Sequence, residues 1–185
     1  MADFKSVVEG HSGAAARWSQ GKFMGGATFG SGGVCGPLSA VWIRDRKIGT
    51  NFNTDTKTAE GRDEVYQLKL NQKKNSEYVK EYLALFSLHR HFSQTWKDEI
   101  SMSEALGVVT AGPGYYFIGL TNRGTGGQKL EGHAFAVDMF DLKFFDPNSG
   151  QASFALVDNL RACFLLWFRL TYMDLRGSGY LERYI

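Results

Sequence analysis

The sequence predicts an α+β domain in which a helical lobe packs on an antiparallel β-sheet. Apolar residues follow helical spacing in segments between residues 35 and 107, whereas aromatic and β-branched runs typical of strands are concentrated after residue 108. The length of 185 residues fits one domain, and the 43% of hydrophobic residues is enough for a sizeable core. The two halves therefore predict separate helical and β-rich layers.

The helical half is clearest from residue 35 to residue 46. Leu38, Val41 and Trp42 share one helix face, Pro37 suits a first turn, and Gly49 suits a C-terminal stop. A second helix is predicted from Asn75 or Ser76, running on to about Trp96, and residues 101–104 have the spacing of a capping box for a short helix. This half thus supplies the helical lobe.

The β-rich half contains three predicted strands, at 115–121, 133–140 and 142–146. A turn at 147–150 follows the third strand, and a helix capped by Asp158 comes next. Residues 180–185 are predicted as a last strand at the edge of the sheet.

Glycine is concentrated near the start of the chain. Nine glycines fall between Gly10 and Gly36, and this density predicts turns and irregular backbone. We therefore divide the chain into a Gly-rich, partly irregular arm over residues 1–30 and a domain over residues 31–185. The first dozen residues are expected to be flexible.

Charge and cysteine content exclude several classes of protein. With 21 Lys and Arg against 19 Asp and Glu, the net charge of +2 argues against a dedicated nucleic-acid binder. Two cysteines cannot build a disulfide framework. The most apolar segment, 154–170, is interrupted by Asp158, Arg161 and Arg169, so no membrane span is predicted. Residues 1–13 lack the apolar stretch of a cleaved signal peptide, so folding in a reducing cytoplasm is expected.

Cys35 is the most suggestive candidate for chemistry. The predicted helix starts beside it, and a helix N-terminus favours the thiolate that a nucleophilic cysteine needs. The flanking glycines, Gly33 and Gly36, would let a substrate backbone approach, and the Cys35 N–H could donate to an oxyanion. The alternative is a small buried apolar residue. That alternative is the interpretation we give to Cys163, which lies among Leu160, Phe164 and Leu165.

His133 and Asp146 are the candidate partners of that thiol. His133 opens an apolar strand, and Asp146 ends the next one, so a hairpin would bring them side by side. A structural histidine and an Asx-turn aspartate are the alternatives. His11 is expected in the arm. The pair His89 and His91 lies on the predicted second helix and lacks a third ligand at zinc-site spacing, so no metal is predicted.

The chain order Cys, His, Asp is the layout of papain-like enzymes, and three segments make the resemblance specific. Residues 32–42 (GGVCGPLSAVW), 132–137 (GHAFAV) and 144–150 (FFDPNSG) resemble the Cys, His and Asp motifs of the YopT/AvrPphB cysteine protease family of the papain-like clan. The resemblance extends in order from residue 32 to about residue 167.

This resemblance implies a papain-like fold, with the helical lobe carrying Cys35 packed on a sheet carrying His133 and Asp146. It implies a cysteine protease without a cofactor that acts as a secreted bacterial effector or toxin, delivered without a cleaved signal peptide into a host or target cell. The expected partners are a protein substrate there and a secretion chaperone or an immunity protein. The second oxyanion donor is open: Ser31 or Gln20 would supply it, and Gly36 is a candidate for substrate contact.

Two alternatives remain beside proteolysis. The same triad chemistry can deamidate glutamine side chains or transfer acyl groups. A catalytically inactive papain fold could instead hold a partner through exposed aromatic residues. The candidates for that surface are Trp18, Trp96, Tyr115 and Tyr116.

Overall fold

A computed structural model describes residues 3–24, 33–96, 102–121, 132–172, 175 and 178–185. Within these ranges the chain forms eight helices and seven strands. The helices are α1 (Phe4–Gly10), α2 (Gln20–Phe23), α3 (Cys35–Ile48), α4 (Phe52–Asp55), α5 (Ala59–Gln72), α6 (Tyr78–Ala84), α7 (Met102–Val109) and α8 (Val157–Thr171). The strands are β1 (Ala14–Arg17), β2 (Arg90–Trp96), β3 (Tyr115–Thr121), β4 (Gly132–Asp138), β5 (Lys143–Asp146), β6 (Gly150–Ser153) and β7 (Ser178–Tyr184).

All seven strands belong to one antiparallel sheet in the order β1-β6-β5-β4-β3-β7-β2. The predicted α+β class with an antiparallel sheet is confirmed. Helices cover both faces of this sheet, however: α3, α5 and α6 pack on the face that carries Phe117, and α1, α7 and α8 pack on the face that carries Ile118. Because β3 is buried on both faces, residues 115–120 are all buried, and apolar and polar side chains do not alternate along them.

Helix α3 is confirmed where the sequence predicts it and runs two residues further. It ends at Gly49, whose φ of 75° is the left-handed conformation that glycine adopts without strain. The Ser39 hydroxyl donates to the Ala134 carbonyl oxygen at 3.3 Å, and the Trp42 ring stacks on Phe145. These contacts fix α3, with Cys35 at its first position, against β4 and β5.

The second predicted helix is wrong beyond Ala84. Residues 90–96 form β2, which pairs with β7 at an edge of the sheet, so the final strand is internal rather than the predicted edge. Most side chains of β2 are exposed or half-exposed, so this strand lacks the alternation of apolar and polar residues that identifies a strand in a sequence. His91 therefore lies on an exposed strand, and His89 precedes it.

The described part of the N-terminal arm is ordered. Phe4 and Val8 of α1 are buried in the core beside α8, and β1 pairs with β6, so the expectation of flexible first residues is wrong for this part. The predicted boundary at residue 30 lies in the segment 25–32, outside the described residues. Among the described helices, none is both long and apolar enough to cross a membrane.

The aromatic surface expected of a binding module is largely buried. Tyr115 and Tyr116 are 8% and 1% exposed, and Trp18 packs against the rings of Phe23, Phe52 and Phe145. Their side chains contribute to the core, so they offer little surface to a partner.

Candidate active site

Cys35 occupies the first position of α3 and is 8% exposed. No acidic residue lies in the first turn of the helix, so the positive end of the helix dipole is not neutralised there. The His133 side chain and the backbone N–H groups of Ala134 and Gly36 lie near enough to the Cys35 sulfur to lower the pKa of the thiol. The sulfur is therefore surrounded by donors suited to an anion.

His133 and Asp146 are brought together by the pairing of β4 with β5. Ala136 lies opposite Phe145, and residues 139–142 form the turn between the strands. Asp146, one residue beyond Phe145, therefore lies beside the start of β4. The distance from His133 Nε2 to Asp146 Oδ1 is 2.9 Å, and both side chains are buried. With Nε2 bound to Asp146, Nδ1 is the ring nitrogen left for Cys35.

Asp146 is held by four groups. Besides His133, the Trp167 Nε1 donates to it at 2.8 Å, the Tyr172 hydroxyl at 2.9 Å and the Asn148 backbone N–H at 2.9 Å. The last bond closes an Asx turn, so the structural and the functional interpretations of Asp146 are compatible. A carboxylate that is 0% exposed needs such donors to remain charged.

The His133 ring is also fixed by aromatic neighbours. Tyr172 stacks on it with centroids 4.6 Å apart and planes 13° apart, and Phe135 meets it edge-on at 4.6 Å. The ring can therefore neither tilt nor turn freely while it shares its two nitrogens between Cys35 and Asp146.

The pKa shifts of Cys35, His133 and Asp146 each favour the charged form of the group. Burial would raise the pKa of Cys35, but the hydrogen bond and charge of His133 lower it below its ordinary value. Burial would lower the pKa of His133, but Asp146 and Cys35 together raise it to about 9. Burial would raise the pKa of Asp146, but His133, the Asn148 backbone N–H and Trp167 together lower it below its ordinary value. At neutral pH these directions favour a thiolate–imidazolium pair beside a carboxylate.

Gln20 lies near Gly33, two residues before Cys35. The Gln20 backbone N–H donates to the Pro147 carbonyl at 2.7 Å, which ties α2 to the turn after Asp146. A β-carbon built on Gly33 would lie 3.6 Å from Gln20 Oε1 and 3.8 Å from Cys35 Sγ. The Gln20 Nε2 donates to Asn148 Oδ1. Gln20, predicted from the sequence as a distant oxyanion donor, thus lies near Gly33, as the Cys35 sulfur does.

The other two candidates for substrate or oxyanion contact are Ser31 and Gly36. Ser31 lies outside the described residues. Gly36 is buried, and a β-carbon there would overlap the hydroxyl of Tyr78. Glycine is therefore needed at this position for close packing between α3 and α6.

A cleft of about 370 Å³ opens at Cys35 and His133 between α3, α5, β3 and β4. Its wall includes Lys69, whose Nζ donates to the Gly33 carbonyl oxygen at 2.5 Å. Tyr78 and Tyr180 line both this cleft and a second one of about 720 Å³. The two cavities therefore lie side by side, and Cys35 lines the smaller one. A separate cavity of about 460 Å³ lies beside β1 and the end of α3, and neither Cys35 nor His133 lines it.

The sequence analysis missed Trp167, Tyr172, Asn148 and Lys69. Trp167 follows the apolar spacing of α8, which is also the spacing of a core residue, and Tyr172 follows that helix with no local signal. Asn148 is part of the FFDPNSG motif, and that motif was the one available signal. Cys163 is buried as predicted, and within the described ranges no three His, Cys, Asp or Glu residues cluster as a metal site would require.

Comparison with known proteins supports the fold alone. No family model matches the sequence, and no curated protein matches it. Among solved structures, the chain is similar to the crystal structure of the Pseudomonas avirulence protein AvrPphB, with a TM-score of 0.53 and 17% sequence identity. The match covers 82% of this chain and 91% of that one.

Proposed function

We propose that the protein is a papain-like cysteine protease in which Cys35 is the nucleophile, His133 the general acid and base, and Asp146 the residue that orients His133. The observation that carries the proposal is the buried hydrogen bond between His133 Nε2 and Asp146 Oδ1, at 2.9 Å, next to a Cys35 thiol whose pKa His133 lowers. A structural cysteine needs no such partners, and a structural histidine does not need a thiol.

The first half of the reaction forms a thioester. The Cys35 thiolate attacks the carbonyl carbon of an amide, and the carbonyl electrons move to the oxygen to give a tetrahedral oxyanion. As the oxyanion collapses, the C–N bond breaks and the imidazolium of His133 gives its proton to the leaving amine. Asp146 keeps the ring oriented and stabilises the imidazolium before that transfer.

The second half returns the enzyme to its starting state. Neutral His133 takes a proton from water, and the resulting hydroxide attacks the thioester carbon. The C–S bond breaks, the carboxylic acid product leaves, and the thiolate and imidazolium are restored.

The oxyanion would be held between two donors. The Cys35 backbone N–H is one, because it lies in the first turn of α3 and has no partner within the helix. The Gln20 side-chain amide is the other, since it and the Cys35 sulfur both lie within 4 Å of a β-carbon built on Gly33.

The two cavities and the structural neighbour together support the substrate class. The cleft at Cys35 and the neighbouring cavity, which share Tyr78 and Tyr180, offer space beside the sulfur for a polypeptide substrate. The shared fold with an avirulence protein and the three sequence motifs support a role as an effector delivered into a host or target cell.

The test measures cleavage of a peptide library prepared from a denatured proteome. Mass spectrometry identifies the new N-termini that cleavage creates. We compare the wild type with Cys35→Ala and, as a matched control, Cys163→Ala. New N-termini in the wild type and the control, absent with Cys35→Ala, are the expected result. Glutamine residues converted to glutamate without any cut chain would instead establish a deamidase, and no Cys35-dependent change in the library would overturn the proposal.

A further inference from the structure

We propose that Tyr172 and Asn148 are positioning residues that decide which end of the Gln20 side-chain amide faces Cys35. The inference rests on the proposed function, since it concerns the oxyanion donor of that reaction. It assigns a role to a hydrogen-bonded chain that runs from the Asp146 carboxylate through Tyr172 and Asn148 to Gln20.

The starting point is an unsatisfied atom. Gln20 Oε1 is buried and has no hydrogen-bond partner within the described part of the chain, and it is the amide atom nearest to a β-carbon built on Gly33, which would also lie 3.8 Å from Cys35 Sγ. A carbonyl oxygen there is the wrong group, because both the thiolate and the oxyanion are negative and need a donor. The donor of the same amide, Nε2, points away from Cys35 to Asn148.

The Tyr172 hydroxyl hydrogen sets the direction in which the hydrogen bonds between Asp146 and Gln20 are donated. Tyr172 has a single hydroxyl hydrogen, and it is given to Asp146, which accepts only. The Tyr172 oxygen therefore accepts from Asn148 Nδ2 at 3.0 Å. This leaves Asn148 Oδ1 facing Gln20, where it draws the Nε2 donor away from Cys35.

The opposite direction satisfies the same contacts. If the Tyr172 hydroxyl donates to Asn148, the Asn148 amide turns over, its Nδ2 donates to Gln20 Oε1, and Gln20 Nε2 faces Cys35. Amide oxygen and nitrogen are nearly equal in size, so the turn needs no new space. Asn148 is exposed and Gln20 half-buried, which leaves both amides free to rotate.

Reversing the direction of these hydrogen bonds costs little because Asp146 keeps three of its four hydrogen-bond donors. His133, Trp167 and the Asn148 backbone N–H do not take part in the chain. Asp146 gives up the Tyr172 hydrogen bond, and the Gln20 oxygen gains the partner that it lacks. An oxyanion forming beside Cys35 adds a charge-assisted bond to Gln20 Nε2 and drives the reversed direction.

The test separates thiolate chemistry from oxyanion chemistry. Alkylation of Cys35 by iodoacetamide needs the thiolate but forms no oxyanion. Acylation by 4-nitrophenyl acetate needs both: the sulfur attacks the ester carbonyl, the C–O bond breaks, 4-nitrophenolate leaves, and the acetyl group stays on the sulfur. The ratio of the acylation rate to the alkylation rate therefore reports the oxyanion donor.

Three variants are compared with the wild type. Tyr172→Phe keeps the stacked ring and removes the hydroxyl. Asn148→Asp offers only acceptors to Gln20 and holds its Nε2 away from Cys35; because Asn148 is exposed, this variant is expected to fold. Trp167→Phe is the matched control, since it also removes one hydrogen bond to Asp146 but does not touch the chain.

Loss of one oxyanion donor costs on the order of 10²–10³ in rate in known enzymes. We expect the ratio to fall by at least about tenfold in Asn148→Asp, which fixes the unproductive direction, and to stay within about twofold in Trp167→Phe, where both rates fall together. In Tyr172→Phe the hydroxyl that sets the direction is gone, so the ratio should depart from the wild-type ratio by more than about twofold. Equal ratios in all three variants overturn the inference while leaving the protease intact. A wild type whose Cys35 alkylates no faster than a free thiol overturns the proposed function, and this inference with it.

Discussion

Two cysteines of this chain are both free and both buried, yet their surroundings differ in kind. Cys35 begins a helix and faces His133 and two backbone N–H groups, so its pKa falls although burial would raise it. Cys163 lies in the middle of α8 among apolar side chains, and burial alone raises its pKa to about 12. Burial therefore does not distinguish a nucleophile from a core residue; the polar groups around the sulfur do.

The largest expected effect tests that contrast directly. Cys35→Ala should abolish peptide cleavage, a loss on the order of 10⁴-fold or more, because the covalent route disappears. Cys163→Ala should cleave at the wild-type rate, since no step uses that thiol. The measurement is kcat/KM on a peptide from the library screen, and equal losses in the two variants would show that both act through the fold.

A second variant removes the anchor of the histidine. Asp146→Asn should lower kcat/KM by roughly 10²- to 10⁴-fold, because an amide can hold the wrong tautomer of His133 and does not stabilise its charge. The pKa of His133 should also fall, since the group that most raises it is gone. Alkylation of Cys35 at pH 6 should slow, while Cys163 in the same sample stays unreactive. An unchanged Cys35 rate would mean that Asp146 serves the turn alone.

The pH dependence of cleavage should be bell-shaped. Cleavage needs Cys35 deprotonated and His133 protonated, so activity rises through the lowered pKa of the thiol and falls through about 9 as His133 loses its proton. Above that pH the rate should drop about tenfold per pH unit. Alkylation should show no alkaline fall, because it needs the thiolate only. An alkaline limb below pH 7 would argue against the Asp146-bound imidazolium.

The smallest expected effect concerns Lys69, a cation near Cys35. Lys69 is 6% exposed and donates to the Gly33 carbonyl beside Cys35. Lys69→Met should raise the pKa of Cys35 and slow its alkylation at pH 6 by a few-fold, or about 0.5–1 kcal/mol. Lys74→Met makes the same charge change at an exposed site away from the cleft, and it should leave the rate unchanged.

The sequence predicted the elements that carry the site better than the elements that surround it. Helix α3 and strand β3 have strong apolar patterns and clear ends, so their bounds came out within two residues. Helix α5 was missed because few of its residues are apolar and buried; Val65 and Leu68 are the main ones. Strand β2 was read as helix because pairing with β7, rather than a local pattern, makes it a strand.

For the site, the order of the three motifs was enough to select Cys35, His133 and Asp146. The hairpin between β4 and β5 then made the contact of His133 with Asp146 predictable. The positions of Tyr172 and Trp167 were not predictable, since α8 reaches Asp146 only through the packing of the whole sheet face. Their side chains follow the same apolar spacing as any core residue.

The most direct test of the central claim is iodoacetamide labelling of the reduced protein between pH 5 and pH 9, with each cysteine followed by mass spectrometry. The wild type is compared with His133→Ala. We predict rapid, selective modification of Cys35 below pH 7 that is lost in the variant, with Cys163 unlabelled in both. Slow labelling of Cys35 that rises only near the free-thiol pKa of about 8.5, unchanged by the variant, would contradict an activated pair and leave Cys35 a core residue like Cys163.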